Sequence, residues 1–294
     1  MFFMRKVFAS FSLLAAAAMA QDLSGVIDLH AHCDPDTSAR SIDAIDLAKL
    51  ARERGMRGIV LKNHQDPTAS LAYIVRKEVS GIEVFGGIVL NRAVGGINVA
   101  AVEHMAALKG GWGRIVWMPT ADAENQVRYD KQNRPFVAIA RDGALLPEVR
   151  AVIASIARHK LVLATGHSSA EEDLLLIAEA RRAGVQQIVV THALVAPVGM
   201  SIPQMKQAAA AGAYLEFTYL ALIPPARSTI EDYAAAIRAV GPEHCVIASD
   251  LGRAGDPLHP DGLVTFFRLL LKQGFSQADI DRMSKTNPAR VLGL

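Results

Sequence analysis

The stretch "VIDLHAHCDPD", residues 26–36, places two histidines two positions apart directly after an apolar run. Side chains along a β-strand alternate between its faces, so His30 and His32 are expected to project from the same face. Two imidazole rings side by side at a strand end can bind one metal ion, although a pair of surface histidines gives the same pattern. Asp28 stands two positions before His30, so we expect its carboxylate to be buried on that face, where it orients the ligands.

Short apolar runs rich in Val, Ile, Leu or Phe recur along the chain and are typical of strands buried on both faces. We predict eight strands, at residues 26–29, 58–61, 84–89, 114–118, 161–164, 187–190, 213–217 and 245–248. Helical patterns follow them, at residues 41–54, 68–79, 98–108, 147–158, 170–183, 203–211, 230–240 and 260–273. Residues 169–172, "SAEE", form a capping-box pattern at the start of the fifth helix.

The alternation of strands and helices predicts a parallel sheet. Eight such units in a chain of 294 residues suit a closed (β/α)8 barrel, and we assign residues 21–294 to this single domain. A doubly wound open sheet is the alternative, but no G-x-G-x-x-G motif follows the first strand. The one long connection, residues 120–146, is polar and contains a hairpin pattern turning at Asp142-Gly143. We predict that it forms a flap over the barrel mouth.

Composition and charge narrow the class of protein. About half of the residues are hydrophobic (51%), which allows a large core, and the net charge is only +2. No basic block and no interleaving of aromatic with basic residues occurs, so nucleic acid is not an expected partner.

Residues 1–20 differ from the rest of the chain. Arg5 and Lys6 precede an apolar run that ends in Ala18-Met19-Ala20, the pattern of a signal peptide. The run is short for a membrane span, so we expect cleavage before Gln21 and no stable membrane anchor; an uncleaved anchor is the alternative. We therefore expect an exported, periplasmic protein. Export permits disulfides, but the two cysteines are predicted at opposite ends of parallel strands and are expected to be free.

Polar residues concentrate where the predicted strands end, which is where a (β/α)8 barrel carries its chemistry. Five of the nine histidines lie at these ends, together with an aspartate after the last strand. A lone histidine beside apolar sequence is more often structural, but five converging on one rim indicate a site for zinc or a neighbouring transition metal. The strand-end residues that we single out are His30, His32, Lys62, His64, Asn91, His167, His192, Glu216, Thr218, Tyr219 and Asp250.

This ordered set resembles the amidohydrolase superfamily, which carries a His-x-His at strand one, single histidines at strands five and six, and an aspartate at strand eight. The C-terminal "TNPARVLGL" also resembles the last helix of many such enzymes. The stretches "LKNH", "GGIVLNRAVGGIN" and "VWMPT" look like those of a poorly characterised metal-dependent group within it. The resemblance covers the mature chain and implies one or two divalent transition metal ions, with Zn²⁺ favoured, bound by His30, His32, His167, His192 and Asp250.

One departure from the family pattern leaves the number of metal ions open. Two-metal members similar to the phosphotriesterases use a carboxylated lysine at the end of strand four, where this chain has Met118-Pro119-Thr120. Lys62 is the nearest strand-end lysine, but it follows strand two. With one ion, the resemblance implies His30, His32, His167 and Asp250 around it, with His192 orienting water or substrate. With two ions, His167 and His192 would bind the second.

The resemblance implies a metal-dependent hydrolase that cleaves an amide, ester or lactone bond of a small molecule with a metal-activated water. Asp250 is then the proton acceptor, with His192 and Lys62 in catalytic roles. We expect His64 and Asn91 to contact substrate, although Asn91 also suits a plain turn.

Two other functions fit the same chain. One is a decarboxylase or hydratase of the same superfamily, and the other is a non-catalytic exported barrel that binds a metal or ligand. Asp250 argues against the second, because binding alone requires no base. Homo-oligomer formation is left open.

Overall fold

The structure is a computed structural model that describes residues 23–294. The predicted signal peptide, residues 1–20, lies outside the described residues. Eight parallel strands form one sheet in which each strand pairs with the next of the eight along the chain, and two short strands between the fourth and the fifth form a separate hairpin. Their bounds are β1 Ile27–His32, β2 Gly58–Lys62, β3 Glu83–Val89, β4 Gly113–Trp117, β7 Val162–Ala164, β8 Gln187–Val190, β9 Tyr214–Thr218 and β10 Cys245–Ala248.

The first and last strands meet and close the barrel. Ala31 forms a parallel bridge with Leu251 just beyond β10. The Asp250 amide donates to the His30 carbonyl oxygen at 2.8 Å, and the His32 amide donates to the Leu251 carbonyl oxygen at 2.9 Å. The predicted (β/α)8 barrel is therefore confirmed, and the open doubly wound sheet is excluded.

Helices cover the outside of the barrel and begin at polar caps. The predicted capping box is present, because Ser169 and Glu172 exchange side-chain to backbone hydrogen bonds at the start of α6. The helices are α1 Ala44–Glu53, α2 Ala69–Glu78, α3 Val99–Ala107, α4 Glu124–Tyr129, α5 Pro147–Arg158, α6 Ala170–Arg182, α7 Ile202–Ala210, α8 Ile230–Val240, α9 His259–Lys272, α10 Gln277–Asp281 and α11 Asn287–Leu292.

Two apolar cores hold these layers together. The larger lies between the strands and the surrounding helices. The smaller fills the barrel interior and includes Ile27, Phe85, Trp117 and Val246. Residues of α11 belong to this interior core, and Leu294 lies beside the starts of β2 and β3. The C-terminal helix therefore closes the N-terminal end of the barrel and leaves the opposite end to the polar residues.

A β-bulge in β1 determines where its histidines point. Asp28 lies opposite Ile59 and Ala31 lies opposite Leu61, so two residues, Leu29 and His30, face the single Val60. Ile59 and Leu61 pack in the outer core, whereas Leu29 and Val60 pack in the interior. The extra residue therefore turns both Leu29 and His30 inward.

This bulge corrects the expectation for Asp28. Alternation alone puts Asp28 on the face of His30, but its partner Ile59 belongs to the outer core, so the carboxylate points away from the interior. Its Oδ1 accepts the His30 amide at 3.1 Å and the Ser249 amide at 3.0 Å. Burial raises the pKa of Asp28 to about 6. Asp28 therefore stabilises the bulge and joins β1 to β10.

The long connection after β4 contains α4 and the predicted hairpin, formed by β5 (Ala140–Arg141) and β6 (Ala144–Leu145). Asp142 and Gly143 at its turn have φ angles of 50° and 74°, as a tight hairpin requires. Asn125 of α4 donates to the carbonyl oxygens of His167 and Pro197, at 3.1 and 2.9 Å. The segment thus touches the barrel rim, and its role as a flap stays a prediction.

Two further expectations concern the whole molecule. Both cysteines are buried and free, as predicted. No helix within residues 23–294 combines the length and apolar character needed to cross a membrane.

Candidate metal centre

His30, His32 and Asp250 converge at the C-terminal end of the barrel. Each offers a ligand atom, and these atoms all lie within 4.8 Å of one another. Asp250 Oδ1 is 2.9 Å from His30 Nε2 and 3.3 Å from His32 Nε2. All three side chains are buried, so the first and last strands of the barrel build one shielded group of nitrogen and oxygen donors.

Glu216 orients the His30 ring from the side opposite the metal centre, through Nδ1. Its Oε2 accepts from His30 Nδ1 at 3.1 Å and from the His192 amide at 3.1 Å. With Nδ1–H committed to the carboxylate, Nε2 is the nitrogen that faces the centre, which is the arrangement of carboxylate-backed metal ligands. The sequence prediction placed Glu216 at a strand end without assigning it a role. The apolar neighbours Leu215 and Phe217 in the outer core were the available signal, because they leave Glu216 on the interior face.

The charges of the group are tightly coupled. Burial lowers the pKa of His30, but Asp250 and Glu216 outweigh this effect and raise it to about 9. Burial acts to raise the pKa of Asp250, but His30 and His32 hold it well below its ordinary value. Burial lowers the pKa of His32 to about 3. The site therefore provides a carboxylate and a neutral imidazole, and a metal cation would displace the proton of the second imidazole.

Lys62, at the end of β2, reaches the same group, where the sequence predicted a nearby cation. Its Nζ lies 2.7 Å from His30 Nε2 and 5.4 Å from the centroid of the Trp117 ring. The side chain is buried, and burial lowers the pKa of Lys62 to about 8. A charged ammonium and a metal ion at one nitrogen would repel each other, so the lowered pKa helps the two to coexist.

His167 and His192 form a second pair of nitrogen donors beside the first group. Their Nε2 atoms are 3.1 Å apart, and the rings of His30 and His192 have centroids 6.4 Å apart. His167 Nδ1 lies 2.7 Å from Gln126 Oε1 of α4, which directs His167 Nε2 toward the cavity. Burial lowers the pKa of both histidines, that of His192 to about 4. All five predicted ligands are thus neighbours.

Unusual backbone conformations occur at two of these residues. His192 and Asp250 have φ angles of 29° and 53°, values that non-glycine residues rarely adopt. Gly252 has a φ of 125°, and a Cβ atom there would lie 2.1 Å from the His32 carbonyl oxygen. Only glycine allows the segment after Asp250 to approach β1 this closely.

His64 and Asn91 occupy different positions. His64 lines the cavity, and its ring centroid is 4.8 Å from that of His32. Asn91 is fully buried and does not line it. The side-chain amide of Asn91 donates from Nδ2 to the His64 carbonyl oxygen and to Thr120 Oγ1. Its Oδ1 accepts from the backbone N–H groups of Thr120 and Asp122. These four bonds use its whole hydrogen-bonding capacity, so Asn91 positions the ends of β3 and β4.

The centre opens into a cavity of about 540 Å³ at the barrel mouth. Its inner part is lined by His32, Lys62, His64, His167, His192 and Asp250. Its rim is formed by Arg40, Leu220, Pro225, Ala226, Arg227 and Arg253. This volume lies within the range of small-molecule sites, roughly 300–1,000 Å³.

The donor set fits a metal ion. His32 Nδ1 and His192 Nδ1 are buried and have no hydrogen-bond partner within residues 23–294, so the described chain does not hold either ring through that nitrogen. Imidazole nitrogen and carboxylate oxygen are the ligands that zinc and its first-row neighbours prefer.

Residues 25–216 match the sequence family described as "Family of unknown function (DUF6282)". The chain belongs to this family. The match ends at Glu216, so it includes the histidines and Lys62 of the centre but not Asp250, Gly252 or the rim residues from Leu220 to Arg253. No curated protein matches the chain in sequence.

Solved structures share the fold of this family member. An amidohydrolase from Pseudomonas aeruginosa is 16% identical with a TM-score of 0.65, over 92% of this chain and 95% of that chain. The organophosphorus hydrolase from Deinococcus radiodurans is 14% identical with a TM-score of 0.62, over 93% of each chain. The phosphotriesterase homology protein from Escherichia coli, complexed with phosphate in its active site, is 17% identical with a TM-score of 0.60, over 92% of this chain and 99% of that chain. The predicted likeness to amidohydrolases is confirmed at the level of the fold.

Proposed function

We propose that the protein is a metal-dependent hydrolase that cleaves an amide, ester or lactone bond of a small molecule. The observation that carries the proposal is the cluster of His30, His32 and Asp250, with Glu216 orienting His30 through a 3.1 Å hydrogen bond. A barrel that only binds a metal or ligand needs no proton acceptor at this position, whereas hydrolysis does.

His30, His32 and Asp250 would hold a divalent transition metal, with zinc favoured by the donor set. His167 and His192 would bind a second ion or orient the attacking water. When bound, such a metal lowers the pKa of a water molecule to about 7 and polarises a carbonyl oxygen.

The chain's own residues then handle protons and the substrate. Asp250 accepts a proton from the attacking water and delivers it to the leaving group, because its lowered pKa keeps it ionised at neutral pH. Lys62 donates a hydrogen bond to the carbonyl oxygen of the substrate, and His64 contacts the substrate beside His32. Glu216 and Asp28 keep these groups in place through His30.

The names of the structural neighbours favour hydrolysis over decarboxylation or hydration. One neighbour is an organophosphorus hydrolase, and another was engineered for organophosphate hydrolysis from a weak promiscuous lactonase. Their low sequence identity extends this argument only to the class of reaction.

The test combines metal analysis with turnover of a panel of esters, lactones and amides. We expect about one to two equivalents of a transition metal and hydrolysis of at least one panel member. Asp250→Asn, assayed with metal in excess, should lower turnover by about 10²- to 10⁴-fold. Asp261→Asn on α9 is the matched control, because it loses only an exposed ion pair with Arg54, and it should keep wild-type turnover. Metal-saturated Asp250→Asn that turns over like wild type would disprove the assignment of the base.

A further inference from the structure

The cavity is lined by more positive than negative side chains. Four basic side chains line it: Arg40, Lys62, Arg227 and Arg253. Asp250 is the one acidic residue among the lining residues of the described chain. Asp250 is already committed to His30 and His32 at the floor. The cavity therefore presents cationic groups to an incoming molecule.

Two of the three arginines are neutralised by acids of the protein. The Arg40 guanidinium donates to Asp36 Oδ2 from Nε at 2.7 Å and from a second nitrogen at 2.5 Å, and both side chains are nearly buried. Arg253 donates to the two carboxylate oxygens of Asp256 at 2.7 and 3.2 Å. These two guanidinium groups have their charge balanced before any ligand arrives.

Arg227 differs from both. Its guanidinium makes no ion pair and no hydrogen bond with any residue of the described chain, and the side chain is exposed at the rim. Its backbone is nevertheless held in place, because the Arg227 amide donates to the Ala221 carbonyl oxygen at 2.8 Å. The same loop is joined to β10 through the Leu220 amide, which donates to the Ser249 carbonyl oxygen at 3.0 Å. The loop thus holds an unpaired cation at the entrance to the metal centre.

We propose that the substrate carries a carboxylate group that Arg227 binds while the scissile bond lies at the metal centre. The proposal rests on the hydrolase function argued above and names its substrate class. A guanidinium fork matches a carboxylate with two parallel hydrogen bonds. Leu220, Pro225 and Ala226 form an apolar wall beside it, which suits a short hydrocarbon segment between the carboxylate and the scissile bond. One unpaired guanidinium matches one carboxylate charge.

Binding of non-hydrolysable probes to the metal-loaded protein tests this proposal independently of turnover. Glutarate and the uncharged pentane-1,5-diol have the same chain length, and calorimetry gives the Kd of each. We expect glutarate to bind more tightly than the diol. Arg227→Gln should weaken glutarate binding by roughly tenfold to a hundredfold, the range for loss of a charge-assisted hydrogen-bonded pair. Arg227→Lys should recover part of this loss, because it restores the charge without the fork.

Arg268→Gln provides the matched control, because Arg268 is an exposed arginine of α9 away from the cavity. Unchanged glutarate binding in this variant supports the proposal. The proposal is overturned if glutarate fails to bind, if the diol binds equally well, or if Arg227→Gln and Arg268→Gln have the same effect. Inorganic phosphate that binds more tightly than glutarate through Arg227 would also overturn it. Absence of hydrolysis across the substrate panel would defeat the proposed function alone, since the probe Kd values do not depend on turnover.

Discussion

Glu216→Gln is the sharpest test of how the metal centre is organised, because it replaces one oxygen by a nitrogen in a buried side chain. Glu216 accepts two hydrogen bonds, from His30 Nδ1 and from the His192 amide, both at 3.1 Å. Burial acts to raise its pKa, but His30 outweighs burial and holds the pKa below its ordinary value, so the group is ionised. Both bonds go to Oε2, so a glutamine with its oxygen at that position can keep them, but it removes the negative charge and places an NH2 donor where Oε1 lies 3.3 Å from His30 Nδ1.

The expected loss follows from the change of an ionised acceptor into a neutral one. A buried hydrogen bond to a charged group contributes about 1.5–3 kcal/mol. Weaker orientation of His30 should appear in metal binding, where changes to such supporting residues cost about 10- to 100-fold in affinity, equivalent to about 1.4–2.7 kcal/mol. We therefore expect the Kd for zinc to rise by this factor in Glu216→Gln.

Competition with a chromophoric chelator measures the zinc Kd directly, and circular dichroism of the same samples establishes that the variant is folded. Glu53→Gln is the matched control, because Glu53 is exposed at the end of α1, away from the cavity. A folded Glu216→Gln protein with the wild-type zinc Kd would refute the role given to Glu216. An equal rise of the zinc Kd in Glu53→Gln would also refute the role given to Glu216.

Three further outcomes are expected. Lys62→Ala should lower turnover by at least tenfold. If the variant keeps its metal stoichiometry, Lys62 binds substrate; if it loses metal and short-chain carboxylates partly restore it, Lys62 is a carboxylated lysine that bridges two ions. Wild-type turnover in the variant would exclude both roles. Asp173→Asn should raise the Tm at neutral pH, because burial raises the pKa of Asp173 well above its ordinary value. Because the pKa of Asp173 is higher in the folded than in the unfolded protein, its carboxyl group lowers the free energy of unfolding once the pH rises above the unfolded-state pKa. The difference in Tm between Asp173→Asn and wild type should therefore vanish near pH 3.8. A difference in Tm that does not change with pH would contradict this cause. We propose that the protein is exported, and N-terminal sequencing of the exported form should return Gln21; Met1 would refute cleavage.

The barrel could be predicted from the sequence because its strands and helices leave local patterns in the chain. Apolar strands alternating with capped helices need no knowledge of tertiary contacts, and the rule that chemistry lies at the strand ends then brought His30, His167 and Asp250 together. The bulge in β1 could not be predicted in the same way. It depends on the register between β1 and β2, which places both Leu29 and His30 opposite Val60 and exists only in the folded sheet.

Contacts supplied by loops were also beyond the sequence pattern. Gln126 reaches His167 from a six-residue helix in the long connection, and no periodicity marks that contact. Arg227 lacks an acidic partner only because of how its loop is placed at the rim, since acids such as Glu231 and Asp232 follow closely in the sequence. Local patterns locate strand ends, whereas the pairing of surface charges is a property of the assembled structure.

The junction between β1 and β10 has a consequence for folding. Asp28 and Ser249 are separated by 221 positions, so bringing them together imposes a large loop-closure entropy and gives the barrel a high contact order. The candidate ligands His30, His32 and Asp250 straddle this junction, and a metal ion bound to all three would cross-link the two ends of the fold. At 100 times its Kd, a ligand specific to the native state adds about 2.7 kcal/mol to the free energy of unfolding. Chelation should therefore accelerate proteolysis, with the first cleavages beside this junction.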